Sequence, residues 1–443
     1  MKRNMFLVVS LILAVGLLLT ACQPTVETVV VKETQEVVVT QVVEKEVVVE
    51  KEVGPIVMWA AYDLSDTSNP PSVTLAQAID TFSATTGIEV QYEQVPWDQL
   101  SKKLALQAQA GGEMPDIVEV GSQHIPSLVS AGALMDIADL VKDASWVSQL
   151  NQSETQSCVL DGARYCVAAD IRGGAWYFNT ASFPNGAPAT KDEWLTEGER
   201  LKGEGSYLST FYAGKEYGSV ELTWAPWIYS NGGSIFDAEG KPDWASAETV
   251  EVVEWARELL SNGYIPETCF TGDFTAGETP WVDGSAASVR GGSWSFLFIP
   301  GLQDKINAGE TVLGVSPAFS SGKNYVFLVG EGWGIPEGAA NVDGALSFLN
   351  YFMNPQMLAQ WASQHYGIPT IDSAFSASAF DNDFYRATAK NLSENGIFME
   401  SSPYYVESLT TLAIAMQELM LDPSMDAMQT LQEAQDEILN KYW

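Results

Sequence analysis

Asp170 and Arg172 stand two residues apart, which puts a carboxylate and a guanidinium on one side of an extended segment. Such a pair either grips a ligand hydroxyl or carboxylate, or closes on itself as an ion pair. A second set of polar residues follows short apolar runs. Tyr62 and Asp63 come after 56–60, and Gly121, Ser122, Gln123 and His124 come after 116–120. Their side chains donate and accept hydrogen bonds but carry few formal charges, which suits a neutral, polyhydroxylated ligand. The plainer alternative is that they are ordinary polar loop residues. Cys158 and Cys166 flank a segment with Asp161-Gly162 at its turn, so the two face each other across a small hairpin and pair in an oxidising compartment. Cys269 is left over and is expected to be buried. The chain has only two histidines, His124 and His365, and no CxxC, so no metal site, cofactor or histidine relay is expected. No Gly-x-Ser-x-Gly elbow, Walker pattern or His-Glu-x-x-His occurs, so the chain does not read as an enzyme. A secreted glycoside hydrolase, needing two carboxylates across a sugar, stays open by count alone among 57 acidic residues, with no spaced motif behind it.

These residues need elements to position them. Residues 56–60 read as a strand. Leu75, Ala78, Ile79 and Phe82 line one face of a helix after Ser72, which Gly87 stops. Ile88, Val90 and Tyr92 alternate as a strand, Leu100 and Leu104 sit on a helix ending near Gly111 and Gly112, and 116–120 is a further strand. Ile125, Leu128 and Val129 begin another helix. Later helices carry Val250, Val253 and Leu260, then Leu346, Leu349 and Met353, then Met428, Leu431 and Ile438, with Pro423 as a first helical residue. Alternating strands and helices predict an α/β chain with an open, mostly parallel sheet. In such sheets ligands lie beyond the carboxyl ends of the strands, where Tyr62, Asp63, Ser122 and Gln123 fall.

The 443 residues are 46% apolar, and their 22 basic against 57 acidic side chains give a formal charge of −35. That balance argues against nucleic acid, which is held by clustered Lys and Arg, and against docking of the body on an anionic membrane. The start is an address. Lys2 and Arg3 precede an uncharged Leu- and Val-rich run over 5–19, then Leu19-Thr20-Ala21-Cys22. This reads as a secretory signal over 1–21. Residues 22–53 form a stalk, and its 23–53 stretch holds 13 Val and 7 Glu with no aromatic residue. The stalk reads either as an extended spacer or as a β-type or helical self-association segment.

The Leu-Thr-Ala-Cys ending resembles a bacterial lipobox, which implies lipidation at Cys22 and an extracytoplasmic protein anchored to the bacterial membrane through that residue only. Further segments carry a second resemblance: Phe-x-x-x-Thr-Gly-Ile-x-Val over 82–90, Gly-Gly-x-x-Pro-Asp-Ile-Val ending at Val118, and Leu-x-x-x-Gly-x-Leu-x-Asp-Ile over 128–137. To these are added Trp-Tyr-Phe-Asn ending at Asn179, Asn231-Gly232-Gly233-Ser234-Ile235-Phe236-Asp237, Gly291-Gly292-Ser293-Trp294, and Gly332-Trp333-Gly334-Ile335-Pro336. Each is weak alone, but their order across 56–443 resembles the family 1 extracellular solute-binding proteins of carbohydrate ABC importers.

The resemblance implies a two-lobed fold of the type II periplasmic-binding-protein kind, each lobe an open sheet flanked by helices, with a ligand closed between them about a hinge. It places lobe one at 54–168 and 288–340, and lobe two at 172–285 and 343–443. By similarity, Trp294, Trp224 and Trp333 would stack on a sugar ring, and Tyr404 or Tyr405 would add another aromatic. Arg172 is the departure, standing where a maltose binder carries an acidic residue, so a sugar acid stays open. So do a polyamine, which suits an acidic cleft, and ferric ion, which paired tyrosines can hold. The partners implied are a mono- or oligosaccharide and the permease subunits of an ABC transporter, with the chain acting as a monomer.

Overall fold

The computed structural model describes residues 28–33, 45–50, 53–297, 299 and 301–443. The expected signal segment and Cys22 lie outside the described residues, as does most of the stalk. Within the stalk, β1 (Thr28–Glu33) pairs antiparallel with β2 (Lys45–Glu50). Among the described residues, no helix is long and apolar enough to cross a membrane.

The body is a two-lobed α/β structure built on a mixed sheet. β3 (Ile56–Ala60) is almost wholly buried, and its apolar residues meet α1 (Pro70–Thr86). That helix begins two residues before the expected Ser72, because Pro70 already has the backbone angle of a first turn and needs no amide partner there. Gly87, at φ 76°, ends it by donating to the Ser83 carbonyl. β4 (Val90–Gln94) follows, then α2 (Trp97–Ala110) and β5 (Ile117–Gly121). β3 lies between β4 and β5, parallel to both. The short strands β6 (Val159–Leu160) and β7 (Ala163–Arg164) form the expected hairpin, closed by a Cys158–Cys166 disulfide with Cα atoms 5.0 Å apart.

β8 (Val167–Asn179) is the crossing element, buried along all but its last residue. The second half of the body adds α3 (Lys191–Gly203), α4 (Ala225–Ser230), α5 (Ala247–Ser261), β9 (Ser288–Gly292) and β10 (Thr311–Gly314). β11 (Val326–Gly334) returns across the hinge, antiparallel to β8 on one side and to β5 on the other. The register shifts between Glu331 and Gly332, where a Cβ on Gly332 would overlap the Val167 carbonyl oxygen. The sheet is therefore mixed: β4-β3-β5 are parallel, β11 takes the short strand Gly396–Ile397 in parallel, and the crossing strands β8 and β11 run antiparallel to each other.

Two aromatic cores organise the lobes. One gathers Ile56, Met58, Leu75 and Phe82 with Trp333, and continues through the crossing to Tyr177, Phe296 and Phe384. The other gathers Trp194, Trp224, Trp227 and Trp255. This packing divides the chain differently from the sequence reading. β9 and β10 pair with residues 174–179 of β8, in the second half, and not with the 56–121 strands. α6 (Val342–Phe352) and α7 (Pro355–Gln364) bury Phe348, Phe352 and Trp361 in the first core. α8 (Asp383–Asn395) brings Phe384 and Tyr385 to the same core. Only α9 (Tyr405–Leu421) and α10 (Ala427–Tyr442) join the second. α10 starts at Ala427 rather than Pro423, because the Asp426 carboxylate caps it by accepting from the Gln429 amide.

Candidate functional site

A cavity of about 400 Å³ opens where the two lobes meet the crossing strands. The first lobe supplies Ala61 and Tyr62 after β3, Trp97 and Asp98 at the start of α2, and Gln123 after β5. The hinge supplies Arg172 from β8, and Phe327, Val329 and Glu331 from alternate positions of β11. The second lobe supplies Tyr212, Glu216 and Tyr217, then Glu221 and Leu222 from a wide π-helical turn over Val220–Trp224, and Phe274, Trp294 and Leu297. π-Helical turns often mark functional positions, and this one sends Glu221 to the cavity and Trp224 into the core.

Beneath the cavity the hinge is tied by a buried polar network. The Arg172 guanidinium pairs with Glu331, and its Nε lies 3.8 Å from Asp170 Oδ1. Asp170 Oδ2 meets His365 Nδ1 at 2.7 Å, and His365 Nε2 lies 2.5 Å from the Tyr62 hydroxyl oxygen. Glu119 accepts from the Ala61 amide at 2.8 Å. Burial tends to discharge Arg172, but Glu331, Tyr62 and Asp170 outweigh it and hold the guanidinium charged more firmly than usual. Burial, and then the Glu331 carboxylate, push Glu119 up to about 8. Glu119, Glu331 and His365 are close enough to share an ion, but Arg172 already places a positive charge on Glu331 and Tyr62 occupies His365 Nε2. Glu331 thus serves as the partner of Arg172, and His365 bridges Asp170 and Tyr62.

Of the residues expected from sequence, Tyr62, Gln123, Arg172 and Trp294 line the cavity together. The Arg172 guanidinium lies 5.8 Å from the centroid of the Trp294 ring. Asp170 is fully buried behind Arg172, and Arg172 is ion-paired while also lining the cavity. Ser122 accepts from the Gly330 amide at 3.0 Å and holds β11 instead of lining the cavity. Asp63 is exposed and accepts from the Ser65 amide and hydroxyl, closing a turn.

Three aromatic residues are placed elsewhere. Trp224 has no exposed surface; it meets Trp227 edge-on and stacks on Phe270 in the second core. Trp333 stands opposite Glu119 in the β11–β5 register, one step deeper than Glu331, where α6 covers the sheet with Phe348 and Phe352. Tyr404 stacks on Tyr442, because the last helix packs beside α9. Its neighbour Tyr405 is buried and donates from its hydroxyl to Glu221 Oε1 at 2.9 Å. The adjacent tyrosines therefore do not converge on one ion.

Sequence reasoning missed Trp97, Tyr212, Tyr217, Glu221, Phe274, Glu331 and His365. Glu331 had a signal, since it alternates with Phe327 and Val329 on one face of a strand. Glu221 had none, because a carboxylate in an apolar helical stretch reads as solvent-facing. Burial pushes Glu221 up to about 8, against the Tyr405 hydrogen bond and the charge of Arg290.

The comparisons agree with this geometry. A family model of bacterial extracellular solute-binding proteins matches residues 77–388, well over half of the chain. A probable amino-acid ABC transporter periplasmic-binding protein of Sinorhizobium fredii is 23% identical over 289 residues, covering 62% of this chain and 65% of its own length. The chain thus spans just under two thirds of that relative. An arabinooligosaccharide-binding protein of Halalkalibacterium halodurans is 21% identical over 327 residues, 69% of this chain and 70% of its own. Among solved structures, an ABC transporter solute-binding protein of Thermotoga lettingae bound with α-D-tagatose superposes with a TM-score of 0.75 at 18% identity, over 87% of this chain and 99% of that one. That likeness is one of fold. With a matching family model, a two-lobed fold and a cavity at the hinge, the chain belongs to the bacterial extracellular solute-binding proteins.

Proposed function

We propose that this protein is the extracytoplasmic receptor of an ABC importer and captures a mono- or oligosaccharide between its lobes for delivery to the permease. The cavity carries the reading: the half-buried indole of Trp294 faces it beside Tyr62, Trp97, Tyr212, Tyr217 and Phe274, with Gln123 among the rings. Sugar rings present C–H faces that stack on aromatic planes, while their edge hydroxyls seek side-chain amides, carboxylates and guanidinium groups. A cavity lined mainly by apolar and aromatic groups with few polar ones is the usual form of a small-molecule site. A relative named as arabinooligosaccharide-binding and a structural neighbour bound with tagatose support the class of ligand. Lipidation at Cys22 would tether the receptor to the membrane through the Val- and Glu-rich stalk.

Thermal unfolding against a panel of sugars, sugar acids, polyamines and ferric ion tests the reading. A sugar at a hundred times its dissociation constant should add about 2.7 kcal/mol of stability. Trp294→Ala should remove that response while the unliganded protein still folds. A sugar response that survives the substitution takes Trp294 out of the site, and a response only to ferric ion overturns the reading.

A further inference from the structure

Acidic side chains outnumber basic ones along the cavity. Among the described residues it is lined by four carboxylates, from Asp98, Glu216, Glu221 and Glu331, and by one basic side chain, Arg172. Arg172 is already committed to Glu331, with Asp170 behind it. The other three carboxylates all act on Tyr217, which stands among them. Glu221 is the deepest of these three, with 6% of its surface exposed. Its Oε1 accepts from Tyr405, and among the described residues no donor meets its Oε2, although the residue faces the cavity. A carboxyl held nine-tenths buried beside aromatic faces is a receptor for a cation, since ring faces and carboxylate attract the same charge.

We propose that the saccharide carries a protonated amine, which binds against Glu221 between the rings of Tyr217 and its aromatic neighbours. This rests on the saccharide reading and narrows it to amino sugars. The groups facing Glu221 are Tyr405 from α9, Arg290 from β9, Glu331 from β11 and Tyr217 from the preceding turn. His124 packs on Tyr217 and Tyr405, and burial holds it down to about 4, so it stays neutral above pH 6. Without ligand, burial pushes Glu221 up to about 8 and so favours its protonated form at neutral pH. An ammonium beside it favours the ionised form, so binding expels one proton. Affinity then rises with pH, about tenfold per unit, while the pH stays below the free value of Glu221. A neutral sugar leaves the proton in place and shows no such slope.

The test is isothermal titration of the full chain at pH 6 and 7, in two buffers of different ionisation enthalpy. The probes are glucosamine, galactosamine and chitobiose, each beside its N-acetylated twin, with spermidine as a cation lacking a sugar ring. Expected are binding of an amino form at least tenfold tighter than its twin at pH 7, a tenfold gain from pH 6 to 7, and one proton released. Glu221→Gln keeps an acceptor for Tyr405 and should erase both the preference and the slope. Asp98→Asn, at an exposed position, should weaken the amino form two- to fivefold with no demand on folding. Equal binding of the twins, or a flat pH response, overturns the proposal and leaves the saccharide reading standing. Binding of spermidine alone overturns both, and binding of none of the probes overturns the proposal.

Discussion

At the scale of single residues, buried charge governs this site. Arg172 balances Glu331 and Asp170, each at least nine-tenths buried. Arg172→Ala leaves those carboxylates without a counter-charge and is expected to destabilise the protein by about 3–5 kcal/mol in urea denaturation. Adding Glu331→Gln to that variant should restore part of the loss, and no recovery would show that the two residues do not act as a pair. Glu119 makes a pH statement. Folded, it keeps its proton to about 8; unfolded, it gives it up in the ordinary carboxylate range. The folded state therefore binds more protons between those values, and stability falls as pH rises toward 8. His124 works in the opposite sense only below its unfolded value of about 6.5. Between pH 6.5 and 8 the melting temperature should thus drop with rising pH, and Glu119→Gln should reduce the slope. The sequence makes Asp170 and Arg172 legible as a pair by strand spacing alone. Glu331 and His365, 159 and 193 residues beyond Arg172 in the numbering, become their partners only when β11 and the end of α7 arrive.

At the scale of elements, local chemistry and local structure agree wherever one segment suffices. Gly87 stops α1, and Asp161-Gly162 turns the Cys158–Cys166 hairpin, with Asp161 at φ 52° and Gly162 at φ 86°. The disulfide closes a short loop and is worth about 2–3 kcal/mol on the chain-entropy model. Replacing both cysteines with serine should lower the urea midpoint accordingly, and an unchanged midpoint would show that the hairpin holds without its bridge. Element reading fails where a side chain's surroundings come from elsewhere. Trp224 and Trp294 look alike as tryptophans beside glycine-rich motifs. The π-helical turn sends the first into a cluster with Trp227 and Phe270, while the second follows β9 at the cavity edge. Trp333 has the alternation of a cleft residue, but α6 lies over its part of the sheet.

At the scale of the whole molecule, two cores joined by β8 and β11 make closure the natural response to a ligand that touches both lobes. Small-angle scattering should show a smaller radius of gyration with the bound sugar than without it. An unchanged radius with saturated sites would mean that the cavity binds without hinge motion. Composition and order settled part of this level: an α/β class from alternating strands and helices, in a strongly acidic chain. The sequence also marked four cavity residues: Tyr62 and Gln123 by their places after strands, Arg172 by its strand spacing from Asp170, and Trp294 through the family resemblance. The division into lobes, the core fate of Trp224 and Trp333, and the carboxyl of Glu221 were decided by tertiary structure. Each depends on which distant helix covers a face, and burial by a distant segment leaves no periodicity in the segment it buries.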